Sequence, residues 1–194
     1  MANVSRIHRE LMQFSKDQSI LGMSLMADDD DVRHLTATIP GPTSTPYDGG
    51  IFHLDITLPD GYPFDPPKMR FTTKVWHPNI SSQTGAICLD ILKNNWSPAL
   101  NLKTALISLQ ALLSSPEPND PQDAVVAKQY LGDYATFVAT ARRWTEDFAK
   151  ASSANFSGKV HKLVEMGFPE ALVKKTLEAV GGDENMALER LCPK

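Results

Sequence analysis

His34-Leu35-Thr36-Ala37-Thr38-Ile39-Pro40 and Phe52-His53-Leu54-Asp55-Ile56-Thr57-Leu58 decide the fold, because polar and apolar residues alternate through both runs. Successive side chains of an extended chain point to opposite faces, so a period of two marks a strand with one buried face. Pro40-Gly41-Pro42 and Asp48-Gly49-Gly50 separate the runs, and Pro59-Asp60-Gly61 follows the second. Proline presets one turn dihedral and glycine tolerates the left-handed region, so these are chain reversals. Met69 and Phe71 continue the alternation, and Ser24–Met26 fits a shorter strand ahead of it. An antiparallel meander with one covered face follows.

Helices flank this sheet. Val4, Ile7, Leu11 and Phe14 recur at helical spacing, with Arg6, Arg9 and Lys16 on other faces. Residues 73–100 show no strong period, yet hold Trp76, His77, Pro78, Asn79, Cys88, Trp96 and Pro98. Such content favours an ordered, functional segment over a disordered one. Asn101 is placed to cap a helix whose apolar stripe is Leu102, Ala105, Leu106, Leu109 and Leu113. Asp120-Pro121 predicts the start of a shorter helix ending near Tyr130. Tyr134, Phe137, Val138, Ala141, Trp144 and Phe148 line one face of a longer one. The expected class is α+β.

Ala149-Lys150-Ala151-Ser152-Ser153-Ala154-Asn155 is small and polar and reads as a linker. It is assigned to residues 151–155, between a core over 1–150 and a small unit over 156–194. That unit reads as three short helices. The first carries Val160, Leu163 and Val164; the second, after Pro169, carries Leu172, Val173, Leu177 and Val180; the third carries Met186, Ala187, Leu188 and Leu191. Met166-Gly167-Phe168 joins the first two, Gly181-Gly182 closes the second, and Asp183 or Asn185 caps the third. A unit of about 40 residues is near the lower limit for folding without disulfides or metal.

The 194 residues are 42% hydrophobic and 22% charged with a net charge of −4, the profile of a globular chain with no electrostatic demand for nucleic acid or an anionic membrane. Asp28-Asp29-Asp30-Asp31 reads as a solvated turn between strands. The opening Met1-Ala2-Asn3-Val4-Ser5-Arg6 lacks the apolar stretch of a signal peptide, and no apolar segment approaches membrane-spanning length. Two cysteines far apart do not make a disulfide framework. The expected location is the reducing cytosol, with the nucleus open to it. Five single, scattered histidines give no metal site.

Cys88 is the candidate reactive group. It lies in the irregular segment after His77-Pro78-Asn79, beside Asp90, with Gly85 nearby to admit another backbone; burial as a plain structural cysteine is the alternative. Cys192 ends an amphipathic helix and reads as packing. A protease would need His77 as base, but a histidine in a proline-stiffened turn is more often a structural hydrogen-bonder, and no third triad member is evident. Asn79 brings a neutral amide donor, a type of group that stabilises an oxyanion. A cysteine with an amide donor and no base suits acyl transfer through a thioester. Asp90 and Asp120 could serve as helix or turn caps, and Lys93 as an ordinary solvated lysine.

Residues 1–150 resemble the catalytic core of ubiquitin-conjugating enzymes. The motifs are Thr45-Pro46-Tyr47-Asp48-Gly49-Gly50, Tyr62-Pro63-Phe64-Asp65-Pro66-Pro67, His77-Pro78-Asn79, Gly85-Ala86-Ile87-Cys88-Leu89-Asp90-Ile91-Leu92, Trp96-Ser97-Pro98-Ala99-Leu100 and Asp120-Pro121. Residues from about 156 to 193 resemble a ubiquitin-associated (UBA) domain through Met166-Gly167-Phe168 and Ala187-Leu188…Leu191. The combination is similar to the subgroup with a C-terminal UBA domain, including the 25-kDa Huntingtin-interacting type and its plant relatives.

The resemblance implies that Cys88 accepts ubiquitin as a thioester from the activating enzyme and passes it to a lysine, extending chains. It implies no bound cofactor, since ATP is consumed upstream. Asn79 would hold the oxyanion or order its loop, and Asp120, with Asp90, would surround the incoming lysine; His77 and Pro78 would be structural. Lys93 could receive ubiquitin from its own site. Arg6 and Arg9 would face the activating enzyme, and Phe64, Pro98 and Ala99 would dock ligases, of RING type. Ile107 and Ala111 would hold the donor ubiquitin, and Met166, Gly167, Phe168 and Leu191 would bind ubiquitin from the tail. Substrates would be proteins, the enzyme a monomer. Other readings are a non-catalytic ubiquitin-binding adaptor, or an enzyme for a ubiquitin-like modifier.

Overall fold

The computed structural model describes residues 4–179 and 184–191. Helix α1 (Val4–Leu21) leads into strands β1 (Ser24–Ala27), β2 (His34–Pro40), β3 (Ile51–Thr57) and β4 (Lys68–Phe71). They form one antiparallel sheet in sequence order. The register pairs Leu35 with Ile56, Ala37 with Leu54 and Ile39 with Phe52, which puts the apolar set of both long strands on one face. That face is closed by α2 (Leu102–Ser114), whose Leu102, Ala105, Leu106, Leu109, Leu112 and Leu113 are all buried. Asn101 caps α2 as expected: the Thr104 N–H donates to its side-chain oxygen at 2.9 Å. The α+β class and the meander follow directly from the alternation in the two opening runs.

On α1, Ile7 and Phe14 enter the core while Val4 stays exposed. Glu10, on the same stripe, is buried. Its carboxylate accepts from the Tyr62 hydroxyl at 2.8 Å and from the Leu102 N–H at 2.9 Å, and it pairs with Arg6. An acidic group at the N-terminus of α2 also meets the positive end of that helix. Arg6 donates further to the carbonyls of Leu100 (2.9 Å) and Pro98 (3.2 Å).

Several expectations are corrected. Asp120-Pro121 does not open a helix: α3 runs Ala124–Gly132, and Asp123 is its cap, accepting from the Val126 N–H. Proline cannot donate a backbone hydrogen bond, but Asp123 can cap without it. Helix α4 (Tyr134–Trp144) buries Phe137 and Ala141, whereas Tyr134, read as part of that face, is exposed and stacks on Phe137 at 5.9 Å. A π-helical segment, Thr145–Lys150, follows it. Residues 151–155 are not an irregular linker: they belong to α5 (Ala151–Glu165). Alanine has the highest helix propensity, and neither Gly nor Pro interrupts 145–157, so small polar composition here is compatible with helix.

The chain divides into two compact units between Ala149 and Lys150. The second contains α5, α6 (Glu170–Ala179) and α7 (Glu184–Leu191) around Val160, Leu163, Val173, Leu177, Ala187 and Leu191. Asn185 lies within α7 and is not its cap; Val180, Gly181, Gly182, Asp183 and Cys192 lie outside the described residues. Among the described residues no helix is long and apolar enough to cross a membrane.

Gly85 fixes how the irregular segment meets the sheet. Its φ is +74°, its carbonyl accepts from the Phe71 N–H at 2.9 Å, and a Cβ there would lie 1.8 Å from the Phe71 carbonyl oxygen. Gly85→Ala should therefore lower unfolding stability by about 2–4 kcal/mol through strain and forced separation from β4. Urea unfolding followed by tryptophan fluorescence reads the shift directly.

Candidate active site

Residues 73–100 are irregular but tied down at each step. The Tyr47 hydroxyl donates to the Trp76 carbonyl at 2.8 Å. His77 is fully buried; its Nε2 donates to the Leu112 carbonyl at 2.9 Å and its Nδ1 accepts from the Asn79 N–H at 3.0 Å. The Pro78 carbonyl accepts from the N–H groups of Gln122 and Asp123, both at 2.9 Å. Asn79 is buried, and its Nδ2 donates to the carbonyls of Glu117 and Asp120, each at 2.9 Å. Its Oδ1 accepts from the Glu117 N–H at 2.8 Å, so both amide hydrogens and the amide oxygen end on one loop. The Asn79 carbonyl in turn accepts from the Cys88 N–H at 2.8 Å.

Cys88 is half-buried at the edge of a shallow groove shared with Asn79, Asp90, Ser108, Ala111 and Asp120. Its Sγ lies 3.6 Å from Asp120 Oδ2 and 3.2 Å from Lys93 Nζ. Asp120 is thus free of a capping role, which Asp123 has taken. Asp90 lines the same groove but is engaged locally: its Oδ1 accepts from the Ile91 N–H and its Oδ2 from Asn95 Nδ2 at 2.8 Å, closing the 3₁₀ turn Asp90–Leu92. His77 offers Cys88 no base, because both ring nitrogens are engaged and burial pushes its pKa down to about 4. Among the described residues no group of three or more His, Cys, Asp or Glu side chains is arranged to hold a metal.

The remaining candidates fall in separate places. Ile107 and Ala111 are exposed one turn apart on α2, and Ala111 reaches the groove. Phe64 is 79% exposed, and Trp96 Nε1 donates to the Pro63 carbonyl at 2.8 Å, joining its loop to that of Pro98 and Ala99. Arg9 is exposed, but Arg6 is engaged by Glu10 and the Pro98–Leu100 carbonyls, a structural commitment the sequence reading missed. Glu10 was missed too, although an acidic residue between Ile7 and Phe14 on an apolar stripe is a visible signal. In the second unit Met166 is 53% exposed, Gly167 has φ +99°, Phe168 packs partly on the small core and Leu191 is within it.

The sequence family described as "Ubiquitin-conjugating enzyme" matches residues 6–145. The chain belongs to that family. The family "UBA/TS-N domain" matches residues 159–191. "Ubiquitin-conjugating enzyme E2 27" of Arabidopsis thaliana is 62% identical over 99% of both chains. "Ubiquitin-conjugating enzyme E2 K" of Homo sapiens is 47% identical over 98% of both. A solved ubiquitin-conjugating domain from Toxoplasma gondii superposes with a TM-score of 0.71 at 54% identity, covering 75% of this chain and 97% of that one. The protein is a ubiquitin-conjugating enzyme with a UBA domain, of a family that binds no cofactor and works with ubiquitin, activating enzymes and ligases.

The buried, neutral His77 makes this ubiquitin-conjugating enzyme acid-sensitive. The ring titrates at 6.5 when unfolded and about 4 when folded, so the unfolded chain binds the extra proton first. Stability is full above pH 6.5 and should fall by about 3 kcal/mol as pH drops to 4. Urea midpoints across that range should show the slope, and His77→Asn should lose most of it while being less stable at pH 7.

Proposed function

We propose that Cys88 is the thioester carrier and that ubiquitin leaves it for a lysine admitted past Asp120. The observation that carries this reading is an accessible thiol facing a carboxylate across a groove, with the neighbouring histidine locked and neutral. A thioester arrives already activated, so Cys88 needs no histidine base of its own. The neutral lysine nitrogen attacks the thioester carbon, the N–C bond forms, the C–S bond breaks and Cys88 leaves as thiolate. A free lysine has a pKa of about 10.4, so the amine must shed a proton before it attacks. Asp120, 3.6 Å from Sγ, is positioned to align the amine and take that proton.

In this reading Asn79 is a loop holder. Its three bonds to Glu117 and Asp120 fix the segment that carries the Asp120 carboxylate, and oxyanion stabilisation would require breaking one of them. Asp90 shapes the 3₁₀ turn after Cys88 and lines the lysine's path. Ile107 and Ala111 offer an exposed helical surface for the donor ubiquitin, and Phe64, Pro98 and Ala99 a joined pair of loops for RING-type ligases. Arg9, on the exposed side of α1, meets the activating enzyme, with Arg6 supporting the helix. The UBA unit, with Met166, Gly167 and Phe168 at its loop and Leu191 beneath, retains ubiquitin near the core, at an effective concentration on the order of millimolar. The enzyme acts as a monomer on protein substrates in the cytosol and nucleus, and builds chains.

Incubation with activating enzyme, ATP and ubiquitin should give a reductant-sensitive adduct that Cys88→Ser replaces with a reductant-stable one. A labile adduct on Cys88→Ser would sink the assignment. Asp120→Ala should load normally yet discharge to free lysine roughly 10- to 100-fold more slowly in single turnover. Met166→Glu should leave loading unchanged and weaken ubiquitin binding, seen as loss of shifts in an NMR titration.

A further inference from the structure

We propose that Lys93 is a catalytic residue of the transfer step, the cation that receives the leaving thiolate of Cys88. This rests on the carrier role of Cys88 and on the amine path past Asp120, and it adds the group on the other side of the sulfur. Cys88 Sγ stands between opposite charges: Asp120 Oδ2 accepts from it at 3.6 Å and Lys93 Nζ donates to it at 3.2 Å. The turn that follows Cys88 holds the lysine there. The Lys93 N–H donates to the Asp90 carbonyl at 2.9 Å, the Asn95 N–H to the same carbonyl at 3.1 Å, and Asn95 Nδ2 to Asp90 Oδ2 at 2.8 Å. Because the Asp90 carboxylate closes that turn, Lys93 makes no ion pair among the described residues, and its charge is directed at the sulfur.

The charge balance of the transfer gives that placement a purpose. As the amine nitrogen bonds to the thioester carbon, its proton passes to Asp120 and the C–S bond breaks with its electron pair on sulfur. One negative charge thus disappears from the carboxylate and appears on Sγ. The proton then returns from Asp120 to the sulfur, which restores the resting thiol–carboxylate hydrogen bond and closes the cycle. In the loaded enzyme the sulfur carries no formal charge, so an ammonium beside it gains little. At bond cleavage it gains a full counter-charge. An interaction stronger in the transition state than in the ground state accelerates the step, and a donor held where charge develops is of that kind.

Among the described residues no other cation lies within hydrogen-bond distance of the sulfur. His77 is neutral with both ring nitrogens engaged, and Asn79 gives its amide hydrogens to the carbonyls of Glu117 and Asp120. The two charged neighbours of Cys88 therefore act on different partners of the reaction. Asp120 acts on the nucleophile and Lys93 on the leaving group. A nucleophile that sheds its proton easily depends little on Asp120, yet it still expels a thiolate and so still depends on Lys93.

The test is single-turnover discharge of the loaded full-length enzyme to free lysine and to hydroxylamine, a far less basic amine. Lys93→Gln should slow both by the same factor, roughly three- to tenfold, above the reach of a free surface pair because the ammonium hydrogen-bonds the sulfur directly. Lys93→Arg should keep most of the wild-type rate. Neither variant can accept ubiquitin at position 93, so loss of self-modification is common to both. Asp120→Ala should slow discharge to lysine far more than discharge to hydroxylamine. The difference between Lys93→Gln and Lys93→Arg should shrink at about 0.5 M salt, where screening is short-ranged. Urea midpoints of both Lys93 variants should match the wild type, since the side chain is exposed. Lys93→Gln discharging at the wild-type rate, Lys93→Arg as slow as Lys93→Gln, or slowing confined to lysine would overturn the proposal. Failure of the wild type to form a reductant-sensitive adduct on Cys88 would instead overturn the carrier role on which it rests.

Discussion

The side-chain amide of Asn79 ends entirely on main chain, with both hydrogens on the carbonyls of Glu117 and Asp120 and its oxygen on the Glu117 N–H. A buried amide with any of these unmade would carry a desolvation penalty of about 1–3 kcal/mol, so the loop and the side chain hold each other in place. Around it the pattern repeats: His77 bridges Leu112 of α2 to the Asn79 N–H, and Pro78 receives the N–H groups that open the approach to α3. A segment with no regular ladder of its own is thereby fixed by side chains and isolated backbone bonds. The consequence at the candidate active site is geometric. Cys88 is held by the Asn79 carbonyl and Asp120 by the Asn79 amide, so one residue sets the separation of thiol and carboxylate.

The sheet was legible because its two long strands alternate without error and their register keeps that alternation in phase. The Asn101 cap was legible for an equally local reason, an asparagine directly ahead of a leucine stripe. Asp120 illustrates where local reading stops. Asp-Pro at 120–121 and Asp123 are both plausible helix starts by composition, and the choice depends on Pro78 claiming the N–H groups of Gln122 and Asp123 from across the fold. The helical state of 151–155 was hidden for another reason: small residues suit linkers and helices alike, and only continuity of backbone bonding separates them. Lys93 was visible as a nearby residue in sequence, but its approach to the sulfur required the 3₁₀ turn at Asp90–Leu92 to fold it back.

The candidate active site combines a rigid frame with open chemistry. No histidine base faces Cys88, and the buried histidine that a hydrolase would use is structural here. That division suits an enzyme whose acyl group arrives activated: a strong base beside the thioester would also deliver water. In the proposed reading, selectivity is then left to which amine can enter past Asp120.

Glu10 has a reach that its place on α1 does not advertise. It joins Arg6, Tyr62 and the start of α2, and through them the chain just before Phe64 and the carbonyls at Pro98 and Leu100. Removing one member leaves a buried carboxylate or cation without its counterpart, whereas replacing the set together need not. Arg6, Glu10 and Tyr62 therefore form one energetic unit: a substitution at any one of them alone loosens both loops at their roots, far from their exposed tips.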